Sequence, residues 1–130
     1  MNPINAQVTL RAGGVGVVLD LTHGRLPEIV HWGADPGVLD EADSAALALA
    51  GVRPVVPNQV DEPVRLAVLP EHHTGWAGRP GLSGSRGGRD WSPLFTTTAL
   101  RVDGAPVEAS GAEPVLITLG AGEVAVVAAD

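Results

Sequence analysis

Two adjacent histidines, His72 and His73, have the residue type of a metal site, because neutral imidazole is a ready zinc ligand. Neighbouring side chains on an extended chain point to opposite faces, so the pair cannot easily grip one ion, and no cysteine or HxxxH spacing completes a ligand set. They read as loop histidines, and neither a metal nor another cofactor is expected. Serine hydrolysis would need G-x-S-x-G on a strand-to-helix turn. None of Ser44, Ser83, Ser85, Ser92 and Ser110 stands in that pattern. Glu71 and Asp90 supply two carboxylates, the pair that retaining glycoside hydrolysis places about 5–5.5 Å apart. Taken as residues alone they read as a loop anchor and an arginine partner. Asp90 lies between Arg89 and Trp91 with Arg86 nearby, so a bidentate salt bridge would account for it. The run Gly84-Ser85-Arg86-Gly87-Gly88-Arg89 has neither the Walker nor the G-x-G-x-x-G spacing of a phosphate cradle. Its glycines are better explained by a sharp turn. Trp76 and Trp91 are either stacking platforms for a sugar or hydrophobic pins for the loop that carries them, with packing favoured. Trp32 reads as core or sheet-face packing.

The composition narrows the chemistry further. All eight basic residues are arginine against fifteen acidic ones, a net charge of −7. Without lysine there is no Schiff base and no phosphate-loop lysine. The acidic balance argues against a phosphate-backbone partner, whose affinity comes largely from basic patches that release counterions. Zero cysteines remove disulfides and thiolate chemistry and fit a reducing compartment. The start Met1-Asn2-Pro3-Ile4-Asn5 has no secretory pattern and no apolar run approaches the roughly 20 residues of a membrane span, so the cytoplasm is expected. Seventeen glycines and eleven prolines among 130 residues stay below the roughly 25–30% of low-complexity chains. Aromatics are scarce, so aliphatic residues must fill the core, and β-branched valine leans the chain toward strands.

These residues must be positioned by a largely β framework. Polarity alternates along 6–10, a mostly apolar run covers 15–21, and a third strand covers 28–32, stopping at Gly33; together they predict an antiparallel meander with a hairpin turn at 11–14. An acidic first turn at Asp40, Glu41 and Asp43, an Ala/Leu body to Ala50, and Gly51 just beyond predict one short helix, expected to cover a sheet edge. A proline-punctuated stretch follows, with a further strand at 66–69. Residues 71–93 form the longest loop, and loops of that length inside a compact domain are usually functional or disordered; its Trp and Arg content argues against disorder. Strands at 96–102, 115–119 and 124–128, with turns at 103–104 and 120–122, complete the pattern. The fold class expected is mainly β, an antiparallel β-sandwich (a partial supersandwich) with one short helix, spanning 1–130 as one incomplete domain whose last strand leaves a bare edge.

The segments Val8-Thr9-Leu10-Arg11-Ala12-Gly13, Leu26-Pro27-Glu28-Ile29-Val30-His31-Trp32-Gly33 and Leu69-Pro70-Glu71, and above all Gly78-Arg79-Pro80-Gly81-Leu82-Ser83-Gly84 with Gly88-Arg89-Asp90-Trp91-Ser92-Pro93, resemble the start of bacterial α-galactosidases of glycoside hydrolase family 36, in the actinobacterial form. The similarity covers essentially the whole chain. It implies an N-terminal β-sandwich that precedes a TIM-barrel catalytic domain, with hydrolysis of terminal α-galactosides under retention. The family's two catalytic aspartates lie on the barrel, which takes about 250 residues; no catalytic residue is expected in this chain. In some members, loops of the N-terminal domain reach a sugar pocket, which can be a neighbouring subunit's. The region 58–65 corresponds, with Asp61 and Arg65 as its charged candidates.

The implied role is therefore a non-catalytic region, inert alone, that contributes folding, oligomer contacts and a substrate-site loop, with the remainder of a glycosidase and galactosides as partners. The alternative is a free-standing carbohydrate-binding sandwich with Trp76, Trp91 and Arg79 as its platform. The full set of candidate substrate-binding residues is Asp61, Arg65, Trp76, Arg79, Arg89, Asp90 and Trp91. A third possibility is an interaction domain whose last strand pairs with another chain.

Overall fold

The computed structural model describes residues 6–58, 61–108 and 114–129. The reading of the first five residues and that of Ser110 lie outside them, as do Gln59 and Val60 within the proline-punctuated stretch. Strands β1 (Gln7–Ala12), β2 (Val15–Asp20) and β3 (Glu28–Ala34) form the meander. The β1–β2 turn is Gly13-Gly14 with both φ values positive, the primed two-residue geometry that matches strand twist and that glycine adopts without a Cβ clash. Helix α1 (Glu41–Ala50) follows, capped by Asp40, whose carboxylate accepts the Asp43 amide. After the long loop come β4 (Thr97–Val102), the two-residue β5 (Ala105–Pro106), β6 (Val115–Thr118) and β7 (Ala125–Ala129).

The chain is mainly β, with two sheets ordered β3-β2-β1-β6 and β5-β4-β7, consistent with a sandwich. One pairing departs from the all-antiparallel expectation: β6 joins β1 in parallel. Register places Val8, Leu10, Val17, Leu19, Val115 and Ile117 on a single face of the first sheet, and this face packs against Leu100 and Val127 of the second. Val8, Leu21 and Leu100 are almost fully enclosed. The two sheets are also tied through the β2–β3 connection, where the Thr97 hydroxyl donates to the Arg25 carbonyl at 2.7 Å and the Thr97 amide donates to that of Gly24.

The other face carries Gln7, Thr9, Arg11, Gly16, Val18 and Asp20. Asp35, Pro36 and Ser44 of α1 lie over it. A Cβ on Gly16 would come within 2.6 Å of Pro36, Arg11 pairs with Asp35 at 3.6 Å, and the Gln7 amide donates to the Ser44 carbonyl. The helix lies nearest to β3, the edge strand of this sheet, in line with the expected edge cover, and its buried Ser44 reaches over the adjoining face, which is itself largely polar.

Three further expectations are corrected. The strand at 66–69 reduces to one bridge, Ala67 opposite Glu28, because Pro63 and Pro70 bracket a short segment and offer no amides to extend a ladder. The third strand continues through Gly33 to Ala34, where Gly33 pairs with Gly16 and the Asp35 amide donates to the Gly14 carbonyl. Trp32 is 73% exposed: it shares the apolar face with Val17, but the three-stranded second sheet encloses the end around Leu19 and Leu21 and leaves this end uncovered. Among the described residues β7 pairs only with β4. No helix among them is long and apolar enough to cross a membrane.

Candidate functional site

The loop between Glu71 and Phe95 is organised from its base. Glu71 is only 4% exposed, and its Oε1 accepts the Phe95 amide at 2.9 Å, so one side chain closes a loop whose ends are 24 residues apart. Its backbone carbonyl accepts both the amide and the hydroxyl of Thr74, which starts a single 3-10 turn at His72–Thr74. The second carboxylate oxygen, Oε2, is buried without a hydrogen-bond partner, a costly arrangement in a low-dielectric setting. Part of the expected role therefore stands, since Glu71 is the anchor.

Asp90 is not the arginine partner. Among the described residues it makes no ion pair. What holds the loop's tip is backbone: Arg86 and Arg89 exchange amide-to-carbonyl hydrogen bonds of 2.8 and 3.2 Å around Gly87-Gly88, both with positive φ. The glycine-rich run is thus a primed turn, as its composition suggested. Asp90 follows it at φ 55°, a left-handed conformation that Asp tolerates better than most residues. The two carboxylates differ in kind, one buried and bonded, one exposed.

The two tryptophans of the loop divide between the two readings. Trp76 donates its indole N–H to the Arg79 carbonyl at 3.0 Å and lies against Gly78, where a Cβ would meet the ring at 2.9 Å. It pins its own turn and offers no open platform, while the Arg79 side chain stays exposed. Trp91 is 68% exposed and pins nothing of comparable depth. Every residue from 81 to 92 is exposed, including Arg89, although the segment is tied at its start by the Gly81 amide donating to Pro70.

Arg65 stands elsewhere. Asp20 and Glu28 face each other across β2 and β3, a like-charge pair that repels. The Arg65 guanidinium bridges them, 2.9 Å from Glu28 and 3.9 Å from Asp20. Asp20 further accepts the amide and hydroxyl of Thr22. Arg65 and Glu28 line an open cleft of about 390 Å³ that also meets His23, Arg25, Glu62 and Glu71. Asp61 is exposed and does not line it. The seven candidates thus do not converge. Arg65 belongs to the cleft, Trp76 and Arg79 to the first turn of the loop, and Arg89, Asp90 and Trp91 to its far side. Composition gave no sign that Arg65 would clamp Asp20 and Glu28, a link that spans 37 residues to Glu28.

Replacing Arg65 with methionine is expected to cost about 1–2 kcal/mol, less than a fully buried pair would lose because the side chain is 36% exposed and its charge is screened. Urea unfolding checks this. Adding Glu28→Gln in that background should restore part of the loss by removing the repulsion.

Among the described residues no cluster of three or more His, Cys, Asp or Glu is arranged to hold a metal. Comparison of the chain with family models, curated proteins and solved structures finds no match.

Proposed function

We propose that this chain is the non-catalytic β-sandwich of a glycoside hydrolase family 36 α-galactosidase, placed in the cytoplasm. It presents the 71–95 loop to a catalytic barrel and its galactoside, and contributes folding support and oligomer contacts. The observation that carries this reading is the loop itself. Its base is fixed by a buried carboxylate, while Leu82 and Trp91 stand in solvent. Apolar side chains held outward by a rigid scaffold suit a docking role, because little conformational entropy is left to lose on contact. The motifs Gly78–Gly84 and Gly88–Pro93, which carry most of the family resemblance, fall on this same loop.

The test is assembly in trans. An actinobacterial family 36 barrel produced without its own sandwich is coexpressed with this chain. The expected result is a soluble complex that hydrolyses an aryl α-galactoside, with no turnover by the chain alone. Turnover by the isolated chain that survives repurification to constant specific activity overturns the reading. Failure to assemble with the barrel counts against it as well.

A further inference from the structure

Strand β3 is covered over its first residues, where the Ile29 amide donates to the Leu66 carbonyl and the Val68 amide to that of Pro27. Beyond Ile29 its only strand neighbour among the described residues is β2. The Asp35 amide donates to Gly14, and Gly33 lies opposite Gly16. Strand alternation therefore turns the amides and carbonyls of Trp32 and Ala34 away from the sheet. Helix α1 approaches from the polar face, where Ser44 meets Gln7, and Trp32, on the opposite face, is 73% exposed. We propose that this edge is a contact between two copies of the chain. The copies pair β3 with β3 antiparallel about a two-fold axis at Trp32, which joins their first sheets into one. The proposal deepens the oligomer contacts of the functional reading above and names the element that makes them.

Charge and shape point to a second copy. The chain carries −7, so two copies repel wherever they present their acids to each other. Residues 29–34 contain no Asp, Glu or Arg. The acids at either end are already matched, Glu28 by Arg65 at 2.9 Å and Asp35 by Arg11 at 3.6 Å. The edge is thus neutral where an identical acidic molecule must approach. Natural edges are commonly guarded by charge or proline, and neither stands within 30–34.

The register is set by what bounds the edge. Residues 66–68 occupy it before Val30 and Pro36 ends it after Ala34, which leaves Trp32 at the centre. An antiparallel strand is its own partner under two-fold rotation, and this register sets the two Trp32 rings opposite each other on the uncovered apolar face beside Val17. The His31 Nε2 donates to the Ala34 carbonyl at 2.8 Å, and that oxygen keeps a second lone pair for the incoming strand. Two tryptophans and two short strands bury less than the roughly 1,200 Å² of a stable interface, so the dimer is weak and reversible.

The experiment is sedimentation velocity of the full chain from about 5 µM to about 1 mM, the range in which a contact of this size dissociates. The expected result is a monomer–dimer equilibrium that shifts with concentration. Over the same range the Trp32 and Ala34 amides should gain protection from hydrogen exchange, a readout that needs no variant. Trp32→Lys sets like charges opposite each other across the axis and should weaken association at least about tenfold. Its melting temperature at low concentration should stay within about 4 °C of the wild type, as for other surface substitutions. Trp91→Lys, on the long loop, should leave association unchanged. The proposal is overturned by a monomer at every concentration, by a dimer that Trp32→Lys leaves intact, or by one that Trp91→Lys dissociates. A monomer that still assembles with a barrel into an active enzyme removes the dimer and leaves the scaffold reading, whereas a dimer that fails to assemble with a barrel does the reverse.

Discussion

Leu100→Ala is expected to lower the melting temperature by on the order of 10 °C, from a loss of about 3 kcal/mol. Leu100 is 1% exposed and sits where the second sheet meets Ala6, Val8, Leu19 and Leu21 of the first. Truncation there removes three carbons and leaves a cavity that two hydrogen-bonded sheets cannot easily collapse into. The effect is large relative to a total of about 5–15 kcal/mol for a domain, and this chain has few fully buried aliphatic residues to share the load. Leu49→Ala is the control. Leu49 is exposed on α1, and the change should stay within about 0.5 kcal/mol. Differential scanning calorimetry of the two variants checks the pair. A Leu100→Ala protein that melts with the wild type would mean that the two sheets do not share a core.

The second large effect is local. Glu71→Ala removes the acceptor of the Phe95 amide and should cost about 2 kcal/mol, chiefly because a partly buried donor is left unpaired. The amide of Phe95 should then exchange with solvent roughly ten times faster or more, while the β1 and β2 amides keep their protection. Glu71→Gln separates hydrogen bonding from charge. The glutamine carbonyl can still accept from Phe95, and the variant buries a neutral amide where the wild type buries a carboxylate with an unpartnered oxygen. Its stability should lie within about 1 kcal/mol of the wild type, or above it, since burying a neutral group is cheaper than burying a charged one. If alanine and glutamine behave alike in exchange at Phe95, the carboxylate does not hold the loop.

What could be read along the chain was whatever is decided within a few residues. The helix was legible because Asp40 caps a backbone amide three positions ahead. The turns at Gly13-Gly14, at Gly87-Gly88 and at Asp103-Gly104 were legible because a positive φ is a property of the residue that adopts it. Alternation along β1 and β2 told which residues share a face, and the core of Val8 and Leu19 followed from it. The sequence by itself therefore determined the strand-rich class, helix α1, and a long loop rich in Gly, Arg and Trp.

Only the tertiary structure decided how those faces are used. Alternation identifies an apolar face but not how much of it a partner covers, so Trp32 reads as packing yet stands in solvent. The parallel pairing of β6 with β1 joins segments about a hundred residues apart, and no local propensity distinguishes it from an antiparallel one. Charge contacts escape local reading for the same reason. Asp90 has arginines beside it in sequence and pairs with none among the described residues. Arg65 reaches 37 residues back to Glu28, and Glu71 reaches 24 forward to Phe95. Solvent competes well for an exposed charge next to its neighbour in sequence, whereas a carboxylate that folding has buried must find its donor wherever the chain brings one.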